Sequence, residues 1–244
     1  MAKLYFSYAA MNAGKSTTLL QAAYNYRERG MSVLLLTSAL YKSQPEGHIS
    51  SRIGIGADAT FYASETDLWG LVEEHMMKSA LHAVFIDEAQ FLTRDQVWQL
   101  ARITDHLGVP VLAYGLRTDF QGELFEGSAA LLAIADDLRE LRTICECGRK
   151  ATMTARLGVD GETLTTGDQV SIEKTTYLSP FLRPWHTPPR QPPPPTPPCP
   201  PPSLPDALPI WLPLIQRNPR RRRLCGFPRH DQHVFTQHQG HGRH

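Results

Sequence analysis

Four apolar runs punctuate the first half of the chain, at Lys3–Tyr8, Ser32–Thr37, Ala83–Asp87 and Pro110–Tyr114, each bounded by polar or turn-forming residues. They run nearly unbroken instead of alternating, which predicts strands buried on both faces. Between them apolar residues recur at helical spacing over Ser16–Arg29, closed by Gly30, over Thr66–Met77, and over Thr93–His106, closed by Gly108. Strands and helices in turn predict βαβ units and a parallel sheet with flanking helices, an α/β fold. A fourth helical run spans Ser128–Leu141; after it, short strand-like pieces around Asp160-Gly161 and Gly167-Asp168 predict a small lobe of hairpins.

The junction of the first strand and helix carries the first chemistry. Ala9–Ser16, "AAMNAGKS", fits the phosphate-binding pattern G-x-x-x-x-G-K-[ST] except at Ala9. Such a loop needs a strand to deliver it, amides turned inward, and a helix whose positive end points at the anion. Lys15 is then expected to reach the β- and γ-phosphates and the Ser16 hydroxyl to ligate Mg²⁺. Ala9 is tolerable if that position does not require a positive φ, whereas Gly14 sits where the backbone must approach phosphate. A second signal is "AVFIDEAQFL", Ala83–Leu92, an apolar strand ending in Asp87, the metal-side partner of a phosphate loop. Glu88 follows at the strand's carboxyl end, where open sheets bind ligands. A carboxylate there can take a proton from water or from a substrate hydroxyl, so the residues alone leave both an ATPase and a kinase open.

Composition divides the chain. Of 20 prolines, only Pro45 and Pro110 precede residue 178, and from Leu178 onward the chain has nine Arg, no Lys and two acids, Asp206 and Asp231. The tail thus carries about +7 against about −6 for the head, and the net charge of +1 is a cancellation. Its proline runs and "PRRRRL" cannot bury a core, so 178–244 is expected to be disordered. A proline-rich partner ligand with a basic nucleic-acid arm is one reading; a frameshift or assembly error is the favoured one, since Asp206–Ile210 resembles a translated adapter fragment. No apolar run approaches the roughly 18–20 residues of a membrane span, and the N-terminus lacks a signal-peptide pattern, so a cytoplasmic location is expected. Cys145 and Cys147 point to metal binding or reduced thiols more than to a disulfide.

Taken together, "LYFSYAAMNAGKST", "SSRIG", "VFIDEAQFLT", "PVLAYGLRTDFQGELFEGS" and "LRTICECGRKATM" resemble, in this order and spacing, the thymidine kinases of the bacterial and cytosolic zinc-containing class. The resemblance covers most of Met1–Ile172. It implies a P-loop NTPase-type parallel sheet with flanking helices over 1–141 and a partial zinc-ribbon-like lobe over 142–177. It further implies transfer of the γ-phosphoryl group of ATP to the 5′-hydroxyl of thymidine, or of deoxyuridine, in nucleoside salvage for DNA synthesis. Glu88 matches the family's catalytic carboxylate. Ala9, Ala10, Met11, Asn12, Ala13, Gly14, Lys15 and Ser16, with Asp87, Glu88, Ala89 and Gln90, match its ATP-binding stretches, and Ser16 and Asp87 the Mg²⁺ site. Met11, Phe91, Leu116 and Phe120 match positions enclosing the nucleoside base, although Phe91 and Phe120 read by themselves as core residues. The family implies a homotetramer, with no membrane and no nucleic-acid partner.

Two departures stand out. Ser43 occupies the place of an expected phosphate-side arginine; Arg52 is a possible substitute, with a solvated surface arginine the favoured reading. Cys145 and Cys147 match half of the family's Zn²⁺ site, but Leu182 and Trp185 stand where the other Cys and His belong, and the spacing of His186 and Cys199 is unlike a metal pair. The zinc site is therefore expected to be incomplete.

Overall fold

The structure, a computed structural model, describes residues 1–40, 47–145, 147–158, 162–170 and 177–181. All lie within Met1–Pro192; Pro193–His244 is outside the described residues. Strand β1 (Leu4–Ala9) leads into helix α1 (Lys15–Glu28) and strand β2 (Val33–Ser38). A short hairpin, β3 (His48–Ser50) and β4 (Gly56–Asp58), precedes β5 (Thr60–Tyr62) and helix α2 (Leu68–Lys78). Then come β6 (Ala83–Ile86), a 3₁₀ turn (Ala89–Phe91), α3 (Arg94–Arg102), β7 (Val111–Leu116), α4 (Glu126–Ile134) and β8 (Asp137–Glu140). Six of these strands form one parallel sheet in the order β5-β2-β6-β7-β1-β8. The α/β expectation, a parallel sheet with flanking helices, holds.

Burial on both faces explains the unbroken apolar runs. Leu34, Leu36, Val84 and Ile86 pack with Leu68, Val72, Val97, Leu100 and Leu131 of α2, α3 and α4. The alternate residues Val33, Leu35, Ala83 and Phe85 pack with Leu19, Leu20 and Ala23 of α1. Capping sets where α3 begins: Thr93 accepts from the Gln96 N–H at 3.2 Å, and the Gln96 side chain accepts from the Thr93 N–H at 3.1 Å. The reciprocal box satisfies two otherwise orphaned donors.

Several elements differ from the sequence reading. The helix expected through His106 ends at Arg102 and continues as a π turn, Ile103–Leu107, before Gly108 at φ 68°. The helix expected over Ser128–Leu141 ends at Ile134, and Asp137–Glu140 instead forms edge strand β8 beside β1. Asp136 redirects the chain, its carboxylate accepting from the Leu4 N–H at 2.7 Å. In the lobe, β9 (Thr143–Ile144) pairs with β10 (Lys150–Ala151), and β11 (Met153–Leu157) lies between β12 (Thr163–Leu164) and β13 (Tyr177–Phe181). Strands β11 and β12 make the hairpin expected near Asp160-Gly161, two residues outside the described set. Gly167-Asp168 is not a hairpin turn, because β12 and β13 pair with opposite edges of β11. Leu178–Phe181, assigned to the tail by composition, belong to β13; the tail beyond lies outside the described residues.

The core makes a direct expectation. Phe85 is fully buried, so Phe85→Ala should lower the equilibrium unfolding free energy by about 3–5 kcal/mol. Trp98, 49% exposed, should lose under about 1 kcal/mol on the same change, and equal losses in a urea titration would contradict this two-faced core.

Candidate active site

The carboxyl ends of β1 and β6 lie apart in the sheet, yet the loops leaving them meet. From β1 the chain turns through Asn12 at φ 60° and Gly14 at φ 74° into α1. Ala9 is still the last residue of the strand and outside the positive-φ set, so its methyl is accommodated where the pattern has glycine. No side chain caps α1 at Gly14, which leaves its first amides to a ligand. Lys15 is buried at the helix start, with its ammonium 3.3 Å from the Ala10 carbonyl it donates to. Burial lowers its pKa, opposed by the nearby Glu88 and Asp87 carboxylates.

Asp87 closes the site from the other side. Its Oδ2 accepts from the Ser16 hydroxyl at 2.9 Å, while its Oδ1 is buried with no hydrogen-bond partner among the described residues. Burial, reinforced by the Glu88 charge, pushes its carboxyl up to about 7 against the opposing pull of Ser16 and Lys15. An orphaned carboxylate oxygen beside a serine hydroxyl is a donor set suited to a hard cation such as Mg²⁺. Glu88 follows in a left-handed conformation, φ 53° and ψ 39°, which costs a non-glycine residue about 1–3 kcal/mol. Tyr62, two strands away in the sheet, holds that turn by donating its hydroxyl to the Glu88 carbonyl at 2.8 Å and towards the Asp87 carbonyl at 3.3 Å. Burial and the two carboxylates push the Tyr62 phenol well above its ordinary value, so it remains a donor.

A cleft of about 520 Å³ opens over these groups, lined by Met11–Thr17 and Glu88 on one side and by Ser50–Ile53 of the β3–β4 hairpin on the other. The model of the thymidine kinase family matches residues 2–175. The chain belongs to the thymidine kinase family. It is 61% identical to the thymidine kinase of Mesorhizobium japonicum over 73% of this chain and 88% of that protein. It is 57% identical to that of Ruegeria pomeroyi, over 73% and 91%, and 56% identical to one of Haemophilus influenzae, over 73% and 93%.

Within this kinase family member, the expected site residues separate into groups. Met11 to Ser16 and Glu88 share the cleft; Ala9, Ala10, Asp87, Ala89 and Gln90 are buried behind it. Leu116 ends β7, Phe91 closes the 3₁₀ turn edge-on to Phe125, and Phe120 lies in the following loop under the Arg156 guanidinium at 4.0 Å. Phe91 and Phe120 follow the ends of β6 and β7, and none of the three lines the cleft. The lobe reaches the loop too: the Met11 N–H donates to the Thr154 hydroxyl at 3.1 Å and the Thr143 hydroxyl to the Asn12 carbonyl at 3.3 Å.

Cys145 and Cys147 sit on one tight turn, in which the Cys145 N–H donates to the Arg149 carbonyl and the Gly148 N–H to the Cys145 carbonyl, each at 2.8 Å. Among the described residues no group of three or more Cys, His, Asp or Glu could hold a metal ion. Two thiols are half of a tetrahedral set, so these residues do not complete a zinc site. Leu182, Trp185, His186 and Cys199 lie outside the described residues, as does Ser43. Arg52 is an exposed residue that lines the cleft.

Sequence reasoning missed Tyr62 and Thr154. The only signal for Tyr62 was the three-residue apolar piece "TFY" after a Gly/Asp turn, too short to read as a strand. Removing its hydroxyl takes away one donor from these carbonyls, of which Glu88 keeps the Phe91 N–H at 3.0 Å, so Tyr62→Phe should cost about 0.5–1.5 kcal/mol of unfolding free energy. A Tyr62→Phe chain with an unchanged denaturation midpoint and slope would show that the turn needs no such support.

Proposed function

We propose that this chain transfers the γ-phosphoryl group of ATP to the 5′-hydroxyl of thymidine. The observation that carries this reading is that Gly14-Lys15-Ser16 and Glu88 line one cleft, with Asp87 hydrogen-bonded to Ser16 behind it, in a member of the thymidine kinase family. Lys15 and the loop amides hold the triphosphate and offset the charge that builds on it, and positioning with charge neutralisation supplies most of phosphoryl-transfer catalysis. Mg²⁺ held by Ser16 and Asp87 would neutralise phosphate charge. Glu88 takes the hydroxyl proton, a contribution of about 10²–10⁴-fold. Arg52 supplies a further cation from the hairpin, in place of the arginine missing at Ser43. Met11, Phe91, Leu116 and Phe120 enclose the base; deoxyuridine, lacking only a methyl, is a second acceptor.

The same reading assigns 1–141 to ATP binding and 142–177 to closing over the nucleoside. Cys145 and Cys147 would provide two zinc ligands, half of the tetrahedral set that a structural zinc needs. Homotetramer assembly is supported by apolar surface beside α1, where Tyr24 is 61% and Ile53 71% exposed. A cytoplasmic location rests on the family resemblance; among the described residues no helix is long and apolar enough to cross a membrane.

In a chain given a C-x-x-H ending, Glu88→Gln should lower kcat at least about 100-fold with ATP affinity preserved. Lost ATP affinity with normal kcat would make Glu88 a binding residue instead. The chain as written should bind less than one zinc per protomer and phosphorylate thymidine much more slowly than the restored chain, because a structural zinc supplies on the order of 10 kcal/mol of apparent binding free energy. Stoichiometric zinc and equal rates in both would show that the tail completes the lobe.

A further inference from the structure

Gln90 matches a family stretch that binds ATP, but its surroundings fit another task. It is 2% exposed and does not line the phosphate cleft. Both ends of its amide are engaged: Nε2 donates to Glu88 Oε2 at 2.5 Å, and Oε1 accepts from the Leu116 N–H at 2.9 Å. The Leu116 N–H can only donate, so it fixes which way the amide points. A flipped amide would set its NH₂ against that N–H and its oxygen against the carboxylate. The seat is close-fitting as well, since a Cβ at Gly115 would stand 2.9 Å from Gln90 Oε1 and 3.0 Å from the Gln90 backbone nitrogen.

Tyr62 hydrogen-bonds the backbone carbonyl of Glu88 and not its carboxylate. Among the described residues, the hydrogen bond from Gln90 is the one that the Glu88 carboxylate makes. From this, and resting on Glu88 as the base, we infer that Gln90 is a positioning residue for phosphoryl transfer. It holds Oε2 and leaves Oε1 to take the proton of the acceptor hydroxyl. The seat is built on the end of β7, the strand that also brings Leu116 to the nucleoside side of the site. Base and acceptor pocket therefore share one backbone anchor.

Gln90→Glu keeps an acceptor for the Leu116 N–H while replacing the donor to Glu88 with a repelling carboxylate. In the full-length chain this variant should lose about 10- to 100-fold in kcat with KM for ATP within about twofold, as expected for a misplaced catalytic group. A crystal structure of the variant should show the Glu88 carboxylate moved from its present seat. In a Glu88→Ala background, Gln90→Glu should cause no further loss. Should Gln90→Glu fail to fold, Gln90→Met, similar in volume, gives the same readings. An unmoved carboxylate overturns the inference whatever the rate, and so does an equal loss in the Glu88→Ala background, which would mark a structural role. Failure of Glu88 as the base shows separately, as an undiminished kcat in Glu88→Gln.

Discussion

The hydrogen bond from the Ser16 hydroxyl to the Asp87 carboxylate ties the first helix to the end of β6, and the rest of the site is arranged around it. Asp87 is 4% exposed, and burying a carboxylate is costly unless charge or hydrogen bonds offset it. Here the offset is partial: Lys15 and Ser16 favour the ionised form, yet burial and Glu88 outweigh them, and one oxygen stays without a partner. A buried acid left in that condition is a poor stabiliser of the fold and a good seat for a cation. The same packing that leaves Asp87 short of partners brings Glu88 to the cleft.

Strain and support follow from that placement. Glu88 occupies a left-handed conformation that its side chain disfavours, and the Tyr62 hydroxyl holds the carbonyls of the turn from β5. On the far side α4 approaches closely enough that a Cβ at Gly127 would lie 2.6 Å from the Ala89 carbonyl oxygen. The lobe adds contacts through Thr154 and Thr143 to the phosphate loop, so loss of order in the lobe would reach Met11 and Asn12 directly. The Glu88 turn is thus held by the Tyr62 hydroxyl from β5 and by close packing against α4, while the lobe's hydrogen bonds support the neighbouring loop at Met11 and Asn12.

What was legible in the sequence follows the physics of each element. The four central strands announced themselves because burial on both faces demands continuous apolar residues, and the turn from β1 into α1 because Gly14, at φ 74°, has few substitutes. Strands β3, β4 and β5 have three residues each, too few to show a period, and they carry Arg52 and Tyr62 into or behind the site. Strand β8 hid inside a helical pattern because "DLRE" is an edge strand with polar residues, fixed by Asp136 and β1 and not by its own composition. Gln90 was read as part of a motif; its contact with Leu116 spans 26 residues and no local pattern encodes it.

The central claim is that the acceptor is a nucleoside hydroxyl and not water. Incubating the full-length chain with γ-labelled ATP, with and without thymidine, and resolving the products tests it most directly. The account predicts labelled thymidine monophosphate formed in step with ADP, and little ADP without thymidine. ADP and free phosphate released at the same rate whether or not thymidine is present would contradict it.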